Sequence, residues 1–233
     1  MPKRSITSFI LAFSILFSSG CAYFTVEKKS QDRQKTVPFE GELPHSVYPE
    51  QFTLNQHIIL TINEKEYDFI GYLKADGRSE FRAMAFGEMG GKIFDLAFAD
   101  GRAEVLKKPE PMPIRPVAEG VIGDILHIFL QPDVDQTFQI KVEEGKSFLV
   151  TLKEKADKAE YHYSAGDELY LSKYSSKERI VSEASYMYYK IFPGWSRPLP
   201  SRIKVINHRW NYRMDITLIK ISEGVKQKSL KQG

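Results

Sequence analysis

The chain has 233 residues, with 33 basic, 30 acidic and 42% hydrophobic, a length that suits one domain with a sizeable core. Its formal charge of +3 includes Lys3 and Arg4 at the extreme N-terminus, and so small a surplus leaves no nucleic-acid footprint. With Cys21 as the only cysteine, no intramolecular disulfide framework can form, and the fold must be held by its core.

Residues 1–20, "MPKRSITSFILAFSILFSSG", have the layout of a secretory signal. Lys3 and Arg4 supply the positive region, Ile6 to Phe17 the apolar run, and Ser18-Ser19-Gly20 a small-residue approach to cleavage. The apolar run falls well short of the roughly 20 residues a membrane-crossing helix requires. Ser-Ser-Gly-Cys resembles a bacterial lipobox, in which the cysteine is acylated and becomes the new N-terminus. The resemblance implies a chain tethered to a bilayer through acyl groups on Cys21, two or more of which anchor stably. Ala22, rather than Asp, follows the cysteine, which in such lipoproteins favours the outer membrane, with the body facing the periplasm. The plainer alternative is an ordinary signal peptide with Cys21 an incidental thiol.

Residues 21–51 are polar, charged and interrupted by Pro38, Pro44 and Pro49, the composition of a flexible tether. Lys28, Lys29, Arg33 and Lys35 could touch anionic head groups, but Glu27 and Asp32 lie among them, and a solvated linker is the simpler account. The folded domain is expected over 52–233. There "QHIILTIN", "YDFIGYLKAD", "SEFRAMAFG", "KIFDLAFAD" and "RAEVLK" read as an antiparallel meander of strands, rich in β-branched and aromatic residues. Asp76-Gly77 and Asp100-Gly101 are hairpin signals, with a polar turn at Glu64-Lys65-Glu66.

"RPVAEGVIGDILHIFLQP" breaks this pattern. Val117, Val121, Ile122, Ile125, Leu126, Phe129 and Leu130 recur at spacings of three and four, and Pro116 and Pro132 flank the segment, which predicts an amphipathic helix. A helix this apolar requires a concave apolar surface to lie in. Gly120 and Gly123 each weaken it by up to about 1 kcal/mol relative to Ala. Strands resume in "SFLVTLKE", "AEYHYS" and "ELYLSKYS", and the C-terminal "PSRIKVIN" and "NYRMDITLIK" are expected to pair through Asn207-His208-Arg209. In the last of these Tyr212, Met214, Ile216 and Leu218 alternate with Arg213, Asp215 and Thr217, the period of a strand with one buried face. The aromatic run "ASYMYYKIFPGW" suits a cavity mouth, a membrane interface or a core.

Signals for catalysis and metal binding are weak. "GEMGGK" has the wrong spacing for a phosphate loop and leads into a strand. Asp133 and Asp135 could flank a cation, yet no further carboxylates follow in a calcium-loop pattern. His45, His57, His127, His162 and His208 form no metal-binding pair, His127 reads as a packed core histidine, and no Gly-x-Ser-x-Gly elbow is present. No catalytic residue, metal site or cofactor is expected, and the chain reads as a non-enzyme.

The stretch "FRAMAFGEMGGKIFDLAFADG", the proline-flanked apolar helix and the terminal "LPSRIKVINHRWNYRMDITL" together resemble the LolA/LolB superfamily of lipoprotein carriers, and within it the small LolB-like lipoproteins. The likeness spans about Tyr67 to Ile221. It implies a mainly β, α+β fold: a curved antiparallel half-barrel of about eleven strands, wide enough to leave a hydrophobic cavity under a helical lid. An acyl-chain or lipid-like ligand would then lie against Val121, Ile125 and Phe129. In the LolB-like receptor an apolar residue at a loop tip inserts into the membrane, and the matching position here is Met89, in Gly87-Glu88-Met89-Gly90-Gly91. That loop also suits a plain glycine-rich turn whose Met packs locally. The helix segment is shorter than in the receptor. The reading that follows is an envelope lipoprotein for lipid binding or transport, palmitate being the kind of acyl group such an anchor carries, with an acyl-chain or lipid-like ligand in the cavity. Its alternative is an outer-membrane scaffold with a filled core and an envelope protein partner.

Overall fold

The computed structural model describes residues 47–108, 114–131, 139–142, 147–154 and 156–224. Cys21, Asp133, Asp135 and most of the expected tether lie outside them. Within them, twelve strands form one open, curved sheet in which all neighbours are antiparallel, one more than the resemblance implied.

The five strands of the N-terminal meander are β1 (Gln51–Ile62), β2 (Lys65–Asp76), β3 (Glu80–Phe86), β4 (Lys92–Ala99) and β5 (Arg102–Lys107). After helix α1 (Ile114–Ile128) come β6 (Gln139–Val142), β7 (Phe148–Glu154), β8 (Asp157–Tyr163), β9 (Leu169–Ser176), β10 (Arg179–Ile191), β11 (Pro198–Asn207) and β12 (Tyr212–Glu223). The order across the sheet is β5-β4-β3-β2-β1-β12-β11-β10-β9-β8-β7-β6. The two meanders therefore join where β12 pairs with β1, and the chain crosses from one edge of the sheet to the other through α1.

Hairpin chemistry sets the registers. Asp100 and Gly101 both have positive φ (51° and 73°), the geometry that matches a two-residue turn to the twist of its strands. Asn63-Glu64 and Lys177-Glu178 adopt the same conformation without glycine. The first of these corrects the expected turn: it falls one residue earlier than Glu64-Lys65-Glu66, because Ile62 pairs with Lys65. The last hairpin turns over 208–211 rather than 207–209, since Asn207 is still paired with Tyr212.

Side-chain alternation divides the faces. Phe52, Leu54, Gln56 and Ile58 on β1 are buried on the concave side, as are Leu73 and Ala75 on β2, and Tyr212, Ile216 and Leu218 on β12. The expected domain start at residue 52 moves back. Tyr48 is 2% exposed, its ring 5.4 Å from Phe52 and 5.3 Å from Phe129, so the segment from Val47 belongs to the core rather than to the tether. The aromatic run over 184–195 is mostly core: Tyr186 and Phe192, the latter just past β10, are buried, while Tyr188 sits at positive φ, is skipped in the β10–β11 register and is exposed.

Candidate functional site

The concave face is packed solid at one end and hollow at the other. Along β1, exposure is nil at Phe52 and Leu54 and reaches 7–8% at Gln56 and Ile58. Leu60 and Ile62 are partly exposed. Beyond Gln56, between the sheet and α1, lies a cavity of about 710 Å³, within the roughly 300–1,000 Å³ typical of small-molecule sites. Its walls come from β1 to β5, β12 and α1 and are mostly apolar, Ile58, Leu60, Phe69, Phe94, Met214 and Ile216 among them.

Two local choices make the hollow. Ala83 and Ala85 on β3 face inward where larger side chains would fill the space, and both line the cavity. On β2, Gly71 lies opposite Gln56, and a Cβ there would come within 2.6 Å of Ile58 Cδ1 and 3.0 Å of Gln56 Cγ. The glycine leaves room for both neighbours to lie across it.

Helix α1 forms the roof. Val121, Ile125 and Phe129 all line the cavity, Ile125 and Phe129 almost fully buried and Val121 partly so. Phe129 lies just past the helix, its N–H donating to Ile125 O at 3.0 Å. The helix is fixed to the β11–β12 hairpin along one side. Arg209 lies 3.5 Å from Glu119, and Gly120 abuts Trp210 and Tyr212. One turn on, the carboxylate of Asp124 accepts hydrogen bonds from Tyr212 Oη and from Asn207 Nδ2 at 3.3 Å. Burial pushes the Asp124 carboxyl up to about 6 despite the bonds from Tyr212, Asn207 and Ser182, which pull it down. The same burial, with Asp124 alongside, raises the Tyr212 hydroxyl. Away from the cavity wall, His127 stacks on Tyr174 with centroids 4.0 Å apart, and burial holds its imidazole down at about 4, a neutral packing group.

At the open end, Asn63, Tyr67, Lys107, Lys108 and Trp210 line the cavity. Strand direction puts three hairpins at this same end of the sheet: Asn63-Glu64, the Gly87–Gly91 loop and 208–211. The middle loop closes with Gly87 N–H on Gly91 O and Gly90 N–H on Gly87 O, and Met89 at its tip is fully exposed (101%). Met89 does not pack locally.

The sequence reading missed Asp124 and Gln56. Both carried a signal. Asp124 stands three residues after Val121 and next to Ile125, on the apolar stripe of the helix, and Gln56 occupies an inward position in the alternation Phe52, Leu54, Gln56, Ile58. A polar group in an apolar period marks either a buried network or a ligand contact. Among the described residues, no group of three or more His, Cys, Asp or Glu is placed to hold a metal ion, and no helix is long and apolar enough to cross a membrane.

Comparison with known proteins agrees with the architecture. The sequence profile of the family described as "Protein of unknown function (DUF3261)" matches residues 53–220. A LolA superfamily protein, NE2245 from Nitrosomonas europaea, superposes with a TM-score of 0.50 at 11% identity, covering 76% of this chain and 88% of that one. An outer membrane lipoprotein-sorting protein domain from Vibrio parahaemolyticus, described as putative, gives 0.46 at 9% identity, over 78% and 87% of the two chains. No curated protein matches by sequence.

Proposed function

The chain belongs to the DUF3261 family and has the LolA-superfamily fold, and on that premise we propose that it is a non-enzymatic envelope lipoprotein that binds or transfers an acyl-chain ligand. The observation that carries this reading is the apolar cavity of about 710 Å³ between α1 and the sheet. Burial of apolar surface at roughly 25 cal/mol per Å² drives uptake there with little polar recognition. Val121, Ile125 and Phe129 form the roof against which the chain lies. The anchor is acylated Cys21 at the end of a signal peptide over 1–20, with the body facing the periplasm from the outer membrane. Met89 is the membrane contact: a flexible apolar side chain, fully exposed, at the end of the sheet where the cavity opens. Ligand would pass between bilayer and cavity at that end.

The test is mass spectrometry of organic extracts from mature protein purified without detergent, paired with titration of a fluorescent fatty acid. The expected result is a co-purifying acyl-chain compound and saturable fatty-acid binding, both lost in Val121→Trp, whose indole would fill the space below α1. An empty extract together with no saturable binding would refute the carrier reading and favour a scaffold that docks an envelope protein.

A further inference from the structure

Gln56 is the one polar side chain on the inward face of β1, between Leu54 and Ile58, and it lines the cavity. It is 7% exposed, and its Oε1 has no hydrogen-bond partner among the described residues. A leucine at this position would continue the apolar wall at no desolvation penalty, whereas a buried carboxamide with an unmet acceptor is unfavourable unless something supplies the bond. Gly71 opposite, with no side chain of its own, leaves the carboxamide space. The position within the cavity matters too. Gln56 is at the closed end, six residues inward from Ile62, or about 20 Å of strand.

We infer that the cavity takes an acyl chain bearing a hydroxyl at the end that enters first, and that the Gln56 carboxamide recognises that hydroxyl; this rests on the carrier reading above. A hydroxyl fits because it can donate to Oε1 or accept from Nε2, so it suits either orientation of the amide. A carboxylate does not fit, for it would be buried as an unpaired charge; of the charged side chains lining the cavity, Asp124 has the same sign, and Lys92, next to the Gly87–Gly91 loop at the open end, is already paired with Asp95. Lys107 and Lys108 line the opposite, open end, where an anionic head would stay in contact with water. The ligand is thus polar at both ends and apolar between.

The experiment is displacement of bound cis-parinaric acid from the mature chain by hexadecanoic acid, ω-hydroxyhexadecanoic acid and α-hydroxyhexadecanoic acid. One hydrogen bond to a previously unmet group predicts that the ω-hydroxy acid binds roughly two- to twelvefold more tightly than the unsubstituted chain, and the α-hydroxy acid without that gain. In Gln56→Met, similar in shape but unable to make the bond, the order of the first two should reverse, with hexadecanoic acid still bound. Because an unmet polar group is removed, the variant's melting temperature should be unchanged or higher. Gln56→Leu should behave alike. If hexadecanoic acid displaces the probe and the ω-hydroxy acid has no advantage, or keeps its advantage in Gln56→Met, the inference fails and the carrier reading survives. A lowered melting temperature with the ligand order unchanged assigns Gln56 a structural bond and also overturns it. If cis-parinaric acid does not bind saturably and neither hexadecanoic acid nor its hydroxy derivatives bind, both readings fall.

Discussion

Replacing Asp124 by asparagine should flatten a pH dependence that the fold builds into its own roof. Asp124 is 2% exposed on the inner side of α1, bonded to Tyr212 and Asn207, and its carboxyl is raised from 3.8 to about 6. The folded protein therefore binds this proton more tightly than the unfolded chain does. Stability from this group is fully present below pH 4 and declines as pH rises to about 6, above which no more is lost. At about 1.4 kcal/mol per tenfold change in proton affinity, the difference amounts to roughly 3 kcal/mol as an upper bound. The substituted carboxamide would keep the shape and one acceptor for Tyr212 Oη, but cannot titrate. Urea unfolding of wild type and Asp124→Asn at pH 4 and pH 7 gives the comparison. Wild type should lose about 2–3 kcal/mol relative to the variant between the two. Taking the difference cancels other groups, notably Asp95, which Arg82 and Lys92 hold down at about 2 and which acts only at lower pH. A difference that is constant with pH, or that grows in favour of wild type as pH rises, would show that Asp124 is not the desolvated group described here.

The two helix glycines should respond in opposite directions. Gly123→Ala meets open space and should stabilise by up to about 1 kcal/mol through helix propensity, whereas at Gly120 a Cβ would lie 2.8 Å from Trp210 Cδ1 and 3.0 Å from Tyr212 Oη. Gly120→Ala should therefore destabilise by about 1–2 kcal/mol in thermal melts, and equal gains at both sites would mean α1 does not dock on the β11–β12 hairpin. Met89→Glu should change stability by less than about 0.5 kcal/mol, as an exposed site does. Liposome binding of anchor-free protein should nonetheless drop severalfold, and unchanged binding would remove Met89 from the membrane contact. Cys21→Ser should shift the chain from the membrane fraction to a soluble or unprocessed form, an outcome read by fractionation and N-terminal mass.

Local regularities were legible from the chain alone because they depend on neighbours in sequence. The period-two alternation from Tyr212 to Leu218, the turn at Asp100-Gly101 and the apolar stripe from Val121 to Phe129 each reappear in the structure as expected. Met89 is fully exposed at the tip of its glycine-rich loop. The turn at Lys177-Glu178 gave no such signal, since its positive φ values are imposed by the register of β9 and β10 rather than by residue type. What tertiary structure decided was the contents of the concave face. Val121, Asp124 and Ile125 share one side of a helix by spacing, but only the approach of β12 makes Asp124 a buried partner of Tyr212, 88 residues away. Likewise Gln56 is one polar residue in a strand until Gly71 is set opposite it by the β1–β2 register. A cavity is the space left between elements distant in sequence, so it has no local period, and its shape exists only once the two meanders and the helix between them have met.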